Sequence, residues 1–353
     1  MPPFDDPLIL ISGNRSGDLD SLITSYVKAE LLSAAGQRGE FAVLRYFPEE
    51  KWKLHRDARY LIEQCGGNPD IFTGADQAAA AAAHRPVKIY LTDHNQPEQE
   101  ILPYSENIVE ITDHHRISGN MPQKAVKRIE NTGSCSTLLA EELFHALAEK
   151  PGLFSREKII SLSEMLYFTI RMDTDHLTDE KQYNLNKDRG ILEKLKKNVK
   201  KEEGFLLELH NKKEDFSGFA IDDYLEKDYK FWTLPSLTYG MSTIHCDIDT
   251  FFELLKADQS AVGSFMKKRN LPVLFLMHFN KEPILKRELT VICQDPCPFR
   301  EKLIDGLASS GLFIPRELPE KGLMRFYQKD PHFSRKKIQP FLDDLLIKLT
   351  EDN

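Results

Sequence analysis

The chain has 353 residues, 41% hydrophobic and 29% charged, which is typical of a folded two-domain protein and excludes a disordered or fibrous chain. The formal net charge of −8 argues against a nucleic-acid-binding protein, because such proteins present a basic face. No apolar run approaches the roughly 20 residues that cross a bilayer, no signal-peptide pattern opens the chain, and the five cysteines are scattered, so we expect a cytoplasmic protein with reduced thiols.

The first half of the chain alternates short apolar runs with helical patterns. Strands are predicted at residues 8–12, 41–46, 87–92 and 108–112, and helices at 21–32, 52–65, 138–147 and 161–170. This alternation predicts a parallel sheet with helices on its faces, in an α/β domain. In such sheets ligands gather where the strands end, so the residues that follow the strands are candidates for a site.

The second half predicts a smaller mixed α/β domain. A lysine-rich helix is predicted at 192–203 and interpreted as a bridge between the domains. Strands are predicted at 229–237, 242–247, 273–279 and 289–293, and a helix at 251–268. The predicted organisation is a catalytic domain at 1–191, a helical linker at 192–215 and a substrate-binding domain at 216–353.

Four short polar motifs punctuate the first half, and three of them directly follow a predicted strand. Each alone would be read as a helix cap or a turn, since aspartate is common in both. Together they are expected to meet at one edge of the sheet, which is a much stronger indication of a site. Their chemically active side chains are Asp18, Asp20, Asp93, Asp113, His114, His115 and Asp173.

This set of carboxylates with an imidazole suits a hard divalent cation, Mg²⁺ or Mn²⁺, better than a structural zinc. Two such cations about 4 Å apart need a shared carboxylate and act on phosphorus by activating a water. Asp93 is the expected bridging ligand. The expected cofactors are therefore two divalent cations, in a phosphohydrolase.

The motifs resemble those of the DHH phosphoesterases, and most closely the yeast-type exopolyphosphatases, which are relatives of family II inorganic pyrophosphatases and of prune. The resemblance extends over nearly the whole chain. It rests on G-N-R-S-G-D-L-D-S at 13–21, D-H-N at 93–95, D-H-H at 113–115, G-S-C-S-T at 133–137, D-T at 173–174 and S-R-K-K-x-x-P at 334–340.

The resemblance implies a role for each matching residue, in an active site in the cleft between the DHH domain and a DHHA2-type domain. Asn14, Asp18 and Asp93 would surround one metal, and Asp20, Asp93, His114 and Asp173 the other. The catalytic residues would be Asp93, His114 and His115. The substrate phosphates would be bound by His115, Lys230, Arg335, Lys336 and Arg116. The segment 133–137 would either hold an anion or cap a helix, and Cys135 is expected to be a packing residue without a catalytic base.

The expected activity is that of an exopolyphosphatase, which removes terminal phosphate from inorganic polyphosphate. The alternatives are an inorganic pyrophosphatase, a hydrolase of short polyphosphates or nucleotides, and a prune-like interaction protein. By resemblance, Asn14 disfavours a pyrophosphatase, which carries histidine there, and His115 disfavours prune, which carries arginine. We expect a monomer that binds neither nucleic acid nor membrane, and a polyphosphate-storing organelle is the alternative to the cytoplasm. Because an amide is a harder ligand than imidazole, Asn14 also favours Mg²⁺.

Overall fold

The computed structural model describes residues 6–117, 122–178, 185–246, 248–258, 260–280, 286–316 and 323–351. It divides into two compact units, Met1–Asp215 and Phe216–Asn353. No helix among the described residues is long and apolar enough to cross a membrane. The α/β class predicted from the sequence is confirmed, with a parallel sheet in the first unit and a mixed sheet in the second.

The first unit is built on a six-stranded sheet whose paired strands are all parallel. The apolar runs that predicted its central strands are almost entirely buried, as expected for strands covered on both faces. The strands are β1 Leu8–Ser12, β2 Glu40–Arg45, β3 Phe72–Gly74, β4 Val87–Thr92, β5 Ile108–Asp113 and β6 Val126–Ile129.

Seven α-helices belong to the described part of this unit. They are α1 Leu19–Ala34, α2 Arg56–Gln64, α3 Ala75–Ala82, α4 Cys135–Glu149, α5 Arg156–Asp173, α6 Asn186–Leu195 and α7 Gly204–Lys213. Helices α1, α4 and α5 pack on one another and contribute Ile23, Leu139 and Phe168 to the main core of the unit.

The order of the strands explains where a site can form. The sheet runs β3-β2-β1-β4-β5-β6. The chain therefore adds β2 and β3 on one side of β1, and later adds β5 and β6 on the opposite side of β4. The strands β1 and β4 are therefore neighbours whose following loops diverge and leave a crevice between them. The motifs at 13–21 and 93–95 leave the sheet at this crevice, and D-H-H follows on β5 beside them.

The second unit is a mixed sheet in the order β11-β12-β10-β9-β8-β7, in which only the pair β8 and β9 is parallel among the described strands. Helices α11 and α12 pack together over a core that includes Phe275, Phe326 and Leu342. The strands are β7 Tyr229–Thr233, β8 Thr238–Ile244, β9 Val273–Asn280, β10 Lys286–Cys293, β11 Phe313–Arg316 and β12 Leu323–Gln328. The helices are α8 Ile221–Lys227, α9 Ile248–Ala257, α10 Ala261–Lys268, α11 Arg300–Ser309 and α12 Arg335–Glu351.

Two predicted helices are wrong, because neither forms as one continuous helix. The helix predicted at 192–203 is replaced by the end of α6 at Leu195 and the start of α7 at Gly204. The helix α6 buries isoleucine and leucine side chains in the core of the first unit, and α7 buries phenylalanine and leucine side chains there. The helix predicted at 251–268 is two helices, α9 and α10, which are separated after Ala257.

Candidate metal centre

The loop after β1 places Asn14 and Asp18 at the crevice. Gly17 turns this loop with a φ of 59°, in the left-handed region that glycine adopts without strain. Asp18 is the N-cap of α1, and its Oδ1 accepts a hydrogen bond from the Ser21 N–H at 3.0 Å. The amide nitrogen of Asn14 donates to Oδ2 of Asp93 at 2.8 Å, whereas its amide oxygen accepts from the Gly17 N–H at 3.2 Å. The first loop is thus joined to the second motif through Asn14.

Asp93 follows β4 immediately and is almost completely buried, at 2% exposure. Its backbone has a φ of 62°, and its N–H donates to the carbonyl of Thr112 on β5 at 2.9 Å. Its Oδ1 receives no hydrogen bond within the described part of the chain. A buried carboxylate oxygen without a donor is costly, and a cation would satisfy it.

His114 faces Asp93 from the end of β5. Its Nδ1 lies 2.9 Å from the carbonyl of Thr132, and because a carbonyl only accepts, Nδ1 carries a proton. Nε2 therefore points the other way, 3.3 Å from Oδ1 of Asp93 and 4.0 Å from Oδ2 of Asp20. Metal-binding histidines usually donate one ring N–H to an acceptor such as a backbone carbonyl and direct the other ring nitrogen at the metal. His114 has this arrangement, with the carboxylates of Asp93 and Asp20 on the side of Nε2.

Asp20 is held by the N-terminus of α4. Its buried carboxylate accepts hydrogen bonds from Ser134 Oγ at 2.9 Å, Cys135 N at 2.6 Å, Ser136 N at 2.9 Å and Ser136 Oγ at 2.5 Å. The positive end of a helix dipole favours this negative charge. The sequence alone predicts either an anion site or a helix cap at 133–137. In the structure this segment orients the carboxylate of Asp20, and Ser134 is the N-cap of α4.

Cys135 is a packing residue rather than a nucleophile. Its side chain is fully buried and donates to the Thr112 carbonyl at 3.3 Å. Burial, followed by the negative charges of Asp20 and Asp93, raises the pKa of this thiol well above its ordinary value. A thiol of this kind is not ionised at neutral pH.

Asp173, the last residue of α5, completes the cluster from an exposed position. Ligand atoms of Asp20, His114 and Asp173 all lie within 4.8 Å of one another, and the same holds for Asp93, His114 and His115. His114 is the member common to both groups, so the bridging role of Asp93 stays a prediction. Asp18 is in neither group, and its carboxylate is engaged as the cap of α1.

The charges of the cluster perturb one another strongly. Burial, followed by the charges of Asp18 and Asp20, raises the pKa of Asp93 well above its ordinary value. Burial alone would lower the pKa of His114, but contact with Asp93 and the charges of Asp20 and Asp173 raise it to about 11. The surrounding protein and the charge of Asp20 likewise raise the pKa of Asp173. The cluster therefore retains protons until a cation replaces them.

The residues present fit divalent cations. The donor set is oxygen-rich with one imidazole, Oδ1 of Asp93 is an unsatisfied buried acceptor, and His114 is held in the tautomer that presents Nε2. Asp20, Asp93, His114 and Asp173 would hold the cations, with Asp18 at the edge. When bound, such cations polarise phosphoryl oxygens and lower the pKa of water.

His115 has a separate position and a separate partner. Its side chain is 54% exposed, and its Nδ1 donates to Oδ1 of Asp113 at 2.9 Å. Asp113 is fully buried and also accepts from Asn95 Nδ2 at 2.6 Å. Although burial favours its neutral form, the hydrogen bonds from His115 and Asn95 lower the pKa of Asp113. The ionised Asp113 orients the ring of His115, so that Nε2 is directed away from this carboxylate and can transfer a proton.

The predicted phosphate-binding residues outside this cluster have different surroundings. Arg116 is exposed after D-H-H, and its carbonyl accepts from Asn95 at 3.1 Å. Lys230 is exposed on β7. Arg335 begins α12 and is only 15% exposed, because its guanidinium donates to the carbonyl and carboxylate of Asp228, both at 2.7 Å. The side chain of Lys336 lies outside the described residues.

Sequence reasoning misses the residues that orient the cluster. Asp113 is seen in the motif, but its role in holding His115 is not. Asn95 is part of the D-H-N motif, but its hydrogen bond to Asp113 is not foreseen. Asp188 carries no signal beyond its residue type, because its partners are distant in the chain. Asp188 is fully buried on α6 and accepts from Gly133 and Thr137, more than 50 residues away.

Two family models match the chain, one for each half. Residues 8–170 match the N-terminal domain of the DHH family, and residues 207–345 match the DHHA2 domain. The first match contains the crevice and most of the cluster, and the second contains Lys230 and Arg335. These matches confirm the resemblance that the motifs indicate.

Several proteins are similar to nearly the whole of this chain. A Schizosaccharomyces pombe protein named "Putative exopolyphosphatase" is 26% identical over 95% of this chain and 90% of its own length. Proteins named "Exopolyphosphatase PRUNE1" from Bos taurus and Homo sapiens are each 24% identical over 96% of this chain and 76% of their own length. The crystal structure described as that of a "Methanococcus jannaschii putative family II inorganic pyrophosphatase" has a TM-score of 0.61 at 15% identity and covers 96% of this chain and 99% of its own. At that identity the likeness concerns the fold alone.

Proposed function

The chain belongs to the DHH family of phosphoesterases, and we propose that it is an exopolyphosphatase that hydrolyses the terminal phosphate of inorganic polyphosphate with two divalent cations. The observation that carries this proposal is that Asp20, Asp93 and Asp173 all lie within a few ångströms of His114, at the β1–β4 crevice. The four carboxylates, counting Asp18, repel one another without cations, so the arrangement favours a cation site over a structural cluster. The relatives named for exopolyphosphatase activity support the choice of substrate.

In this proposal each side chain has one task. Asp18, Asp20, Asp93, His114 and Asp173 bind the cations, which are Mg²⁺ or Mn²⁺, and Asn14 orients Asp93. His115, held by Asp113, donates a proton to the leaving phosphate chain. Lys230, Arg335 and Lys336 of the second unit and Arg116 of the first supply positive charge for that chain.

Pyrophosphate is the main alternative substrate, since the same cations serve any phosphoanhydride. The geometry of Asn14 bears on it, because its amide nitrogen, rather than its oxygen, faces Asp93. A histidine at this position could bind a cation directly, whereas the amide of Asn14 donates a hydrogen bond to Asp93, which is itself a proposed cation ligand. We therefore propose that polyphosphate is preferred over pyrophosphate. We also propose that Mg²⁺ supports activity, because the side chains that would hold the cations are mainly carboxylates.

The test is the release of phosphate from polyphosphates of graded length, pyrophosphate and a nucleoside triphosphate, with Mg²⁺, Mn²⁺ or Co²⁺ supplied singly. We expect polyphosphate to give the highest kcat/KM and Asp93→Asn to lower it by more than about a hundredfold, because even residues that only orient ligands contribute 10- to 100-fold. A matched control is Asp223→Asn, which changes an equally buried aspartate of the second unit.

Three outcomes would contradict the proposal. Pyrophosphate as the best substrate would indicate a pyrophosphatase. Absence of phosphate release from every substrate would favour an interaction protein. Activity with Mn²⁺ or Co²⁺ but none with Mg²⁺ would refute the expected cation preference.

A further inference from the structure

We infer that Asp188 is a positioning residue for the cation cluster, although it lies outside both groups of ligands. It is the third residue of α6, and its carboxylate is fully buried. Oδ2 accepts a hydrogen bond from the Gly133 N–H at 3.0 Å, and Oδ1 accepts one from the Thr137 hydroxyl at 2.5 Å. One carboxylate therefore fastens both ends of the segment 133–137.

That segment is the support of two cluster side chains. Its middle residues, Ser134 to Ser136, give the carboxylate of Asp20 four hydrogen bonds. The residue before it, Thr132, offers the carbonyl that binds Nδ1 of His114. A shift at Gly133 would therefore move the donors of Asp20 and the acceptor of His114 together.

Tight packing around Gly133 restricts the positions that the backbone of this segment can adopt. A Cβ built on Gly133 would lie 2.5 Å from Cγ2 of Thr174 and 2.7 Å from Cδ2 of Leu185, so the backbone is packed directly against the residues that follow Asp173. An ionised carboxylate accepts hydrogen bonds and donates none, so both Gly133 and Thr137 must point toward Asp188. Burying this charge is costly, and its hydrogen bonds offset that cost only in this one arrangement.

The inference rests on the cation cluster of the proposed function and is independent of the substrate. Residues that orient metal ligands commonly change metal affinity by about 10- to 100-fold. We therefore expect Asp188→Asn to weaken Mn²⁺ binding by that factor, because the new NH₂ group would face an N–H or O–H donor. Thr137→Val, which removes only the hydroxyl donor and keeps the shape, is expected to weaken binding by about tenfold.

The experiment measures free Mn²⁺ by electron paramagnetic resonance during titration of the full chain, at a temperature well below the melting point of every variant. Asp223→Asn is the matched control, since Asp223 is 1% exposed and accepts a backbone N–H, from Ala220 at 2.8 Å, in the second unit. It is expected to lower the melting temperature while changing the Mn²⁺ dissociation constant less than twofold. A purely structural role of Asp188 would give the same result as this control.

Mn²⁺ binding by Asp188→Asn and Thr137→Val at wild-type affinity would overturn the inference, and so would an equal loss in Asp223→Asn. If Asp188→Asn fails to fold, Thr137→Val decides alone. Failure of the wild type to release phosphate from polyphosphate would refute the proposed substrate and leave the Mn²⁺ comparison valid. Failure of the wild type to bind Mn²⁺ would overturn both the cluster and the inference.

Discussion

Replacing Lys28 by methionine should destabilise the first unit, because it removes the ammonium group that pairs with two glutamate carboxylates. Lys28 is on α1 with only 2% of its side chain exposed, and its ammonium lies 2.6 Å from both Glu110 on β5 and Glu142 on α4. Burial alone would lower the pKa of Lys28, but the two glutamates raise it, so the lysine is charged at neutral pH. Methionine retains the length and apolar character of the stem and removes the charge.

The expected size of the loss follows from the exposure of the three groups. Breaking a buried ion pair by removing one partner costs about 3 to 5 kcal/mol. Because the glutamate side chains are 26% and 29% exposed, water can reach them, and we expect the lower end, about 3 kcal/mol. Neutralising both partners as well, in Lys28→Met/Glu110→Gln/Glu142→Gln, should recover most of this loss, since no unpaired charge remains.

The assay is urea unfolding at pH 7 followed by tryptophan fluorescence. The chain has two tryptophans, and Trp52 lies buried in the core of the first unit. Trp232→Phe in every variant leaves Trp52 as the reporter of that unit alone. A loss below about 1 kcal/mol in Lys28→Met, or a triple variant as unstable as the single one, would contradict this role of Lys28.

Three further predictions concern single side chains. Ser136→Ala removes a charge-assisted hydrogen bond to Asp20, so the free energy of unfolding should fall by about 1.5 to 3 kcal/mol. Denaturant titrations measure this loss, and a change under about 0.5 kcal/mol would contradict the prediction. Asp228→Asn should reduce the loss of stability in acid. Burial alone would raise the pKa of Asp228, but His245 and Arg335 hold it below the ordinary value, so wild-type stability should be full above about pH 4 and fall below it. Urea unfolding midpoints of both proteins between pH 6 and pH 3 would show the difference. Cys135 should resist iodoacetamide in the folded protein and react only after unfolding, and its labelling at native pH, read by mass spectrometry, would show that its environment is misjudged.

The positions of the strands around the site are predictable because local pattern determines them. The run at 8–12 and the run at 87–92 are strands with the predicted bounds, since each is apolar and is followed directly by polar residues. The convergence of Asp20, Asp93 and His114 follows from those bounds and from the rule that ligands bind at strand ends.

The rest depends on contacts between distant parts of the chain. The donors to Asp20 lie more than 110 residues away, and nothing in the pattern of 133–137 distinguishes a carboxylate of the same chain from a bound anion. The helix predicted at 192–203 is wrong for a related reason. Its lysines indicated a solvated helix, but Leu192 and Leu195 dock on the core as the end of α6, and the next buried residue, Phe205, belongs to α7. Charge pattern alone does not show where such a segment packs.

The backbone at Asp93 has a consequence for experiments on this site. With a φ of 62°, this position suits glycine, asparagine and aspartate and opposes residues that lack a short polar side chain. An alanine here would remove the carboxylate and also the short polar side chain that makes this backbone conformation tolerable, so loss of activity would report two changes at once. Asparagine retains the backbone preference and the shape, which makes it the substitution that isolates the chemistry of the carboxylate.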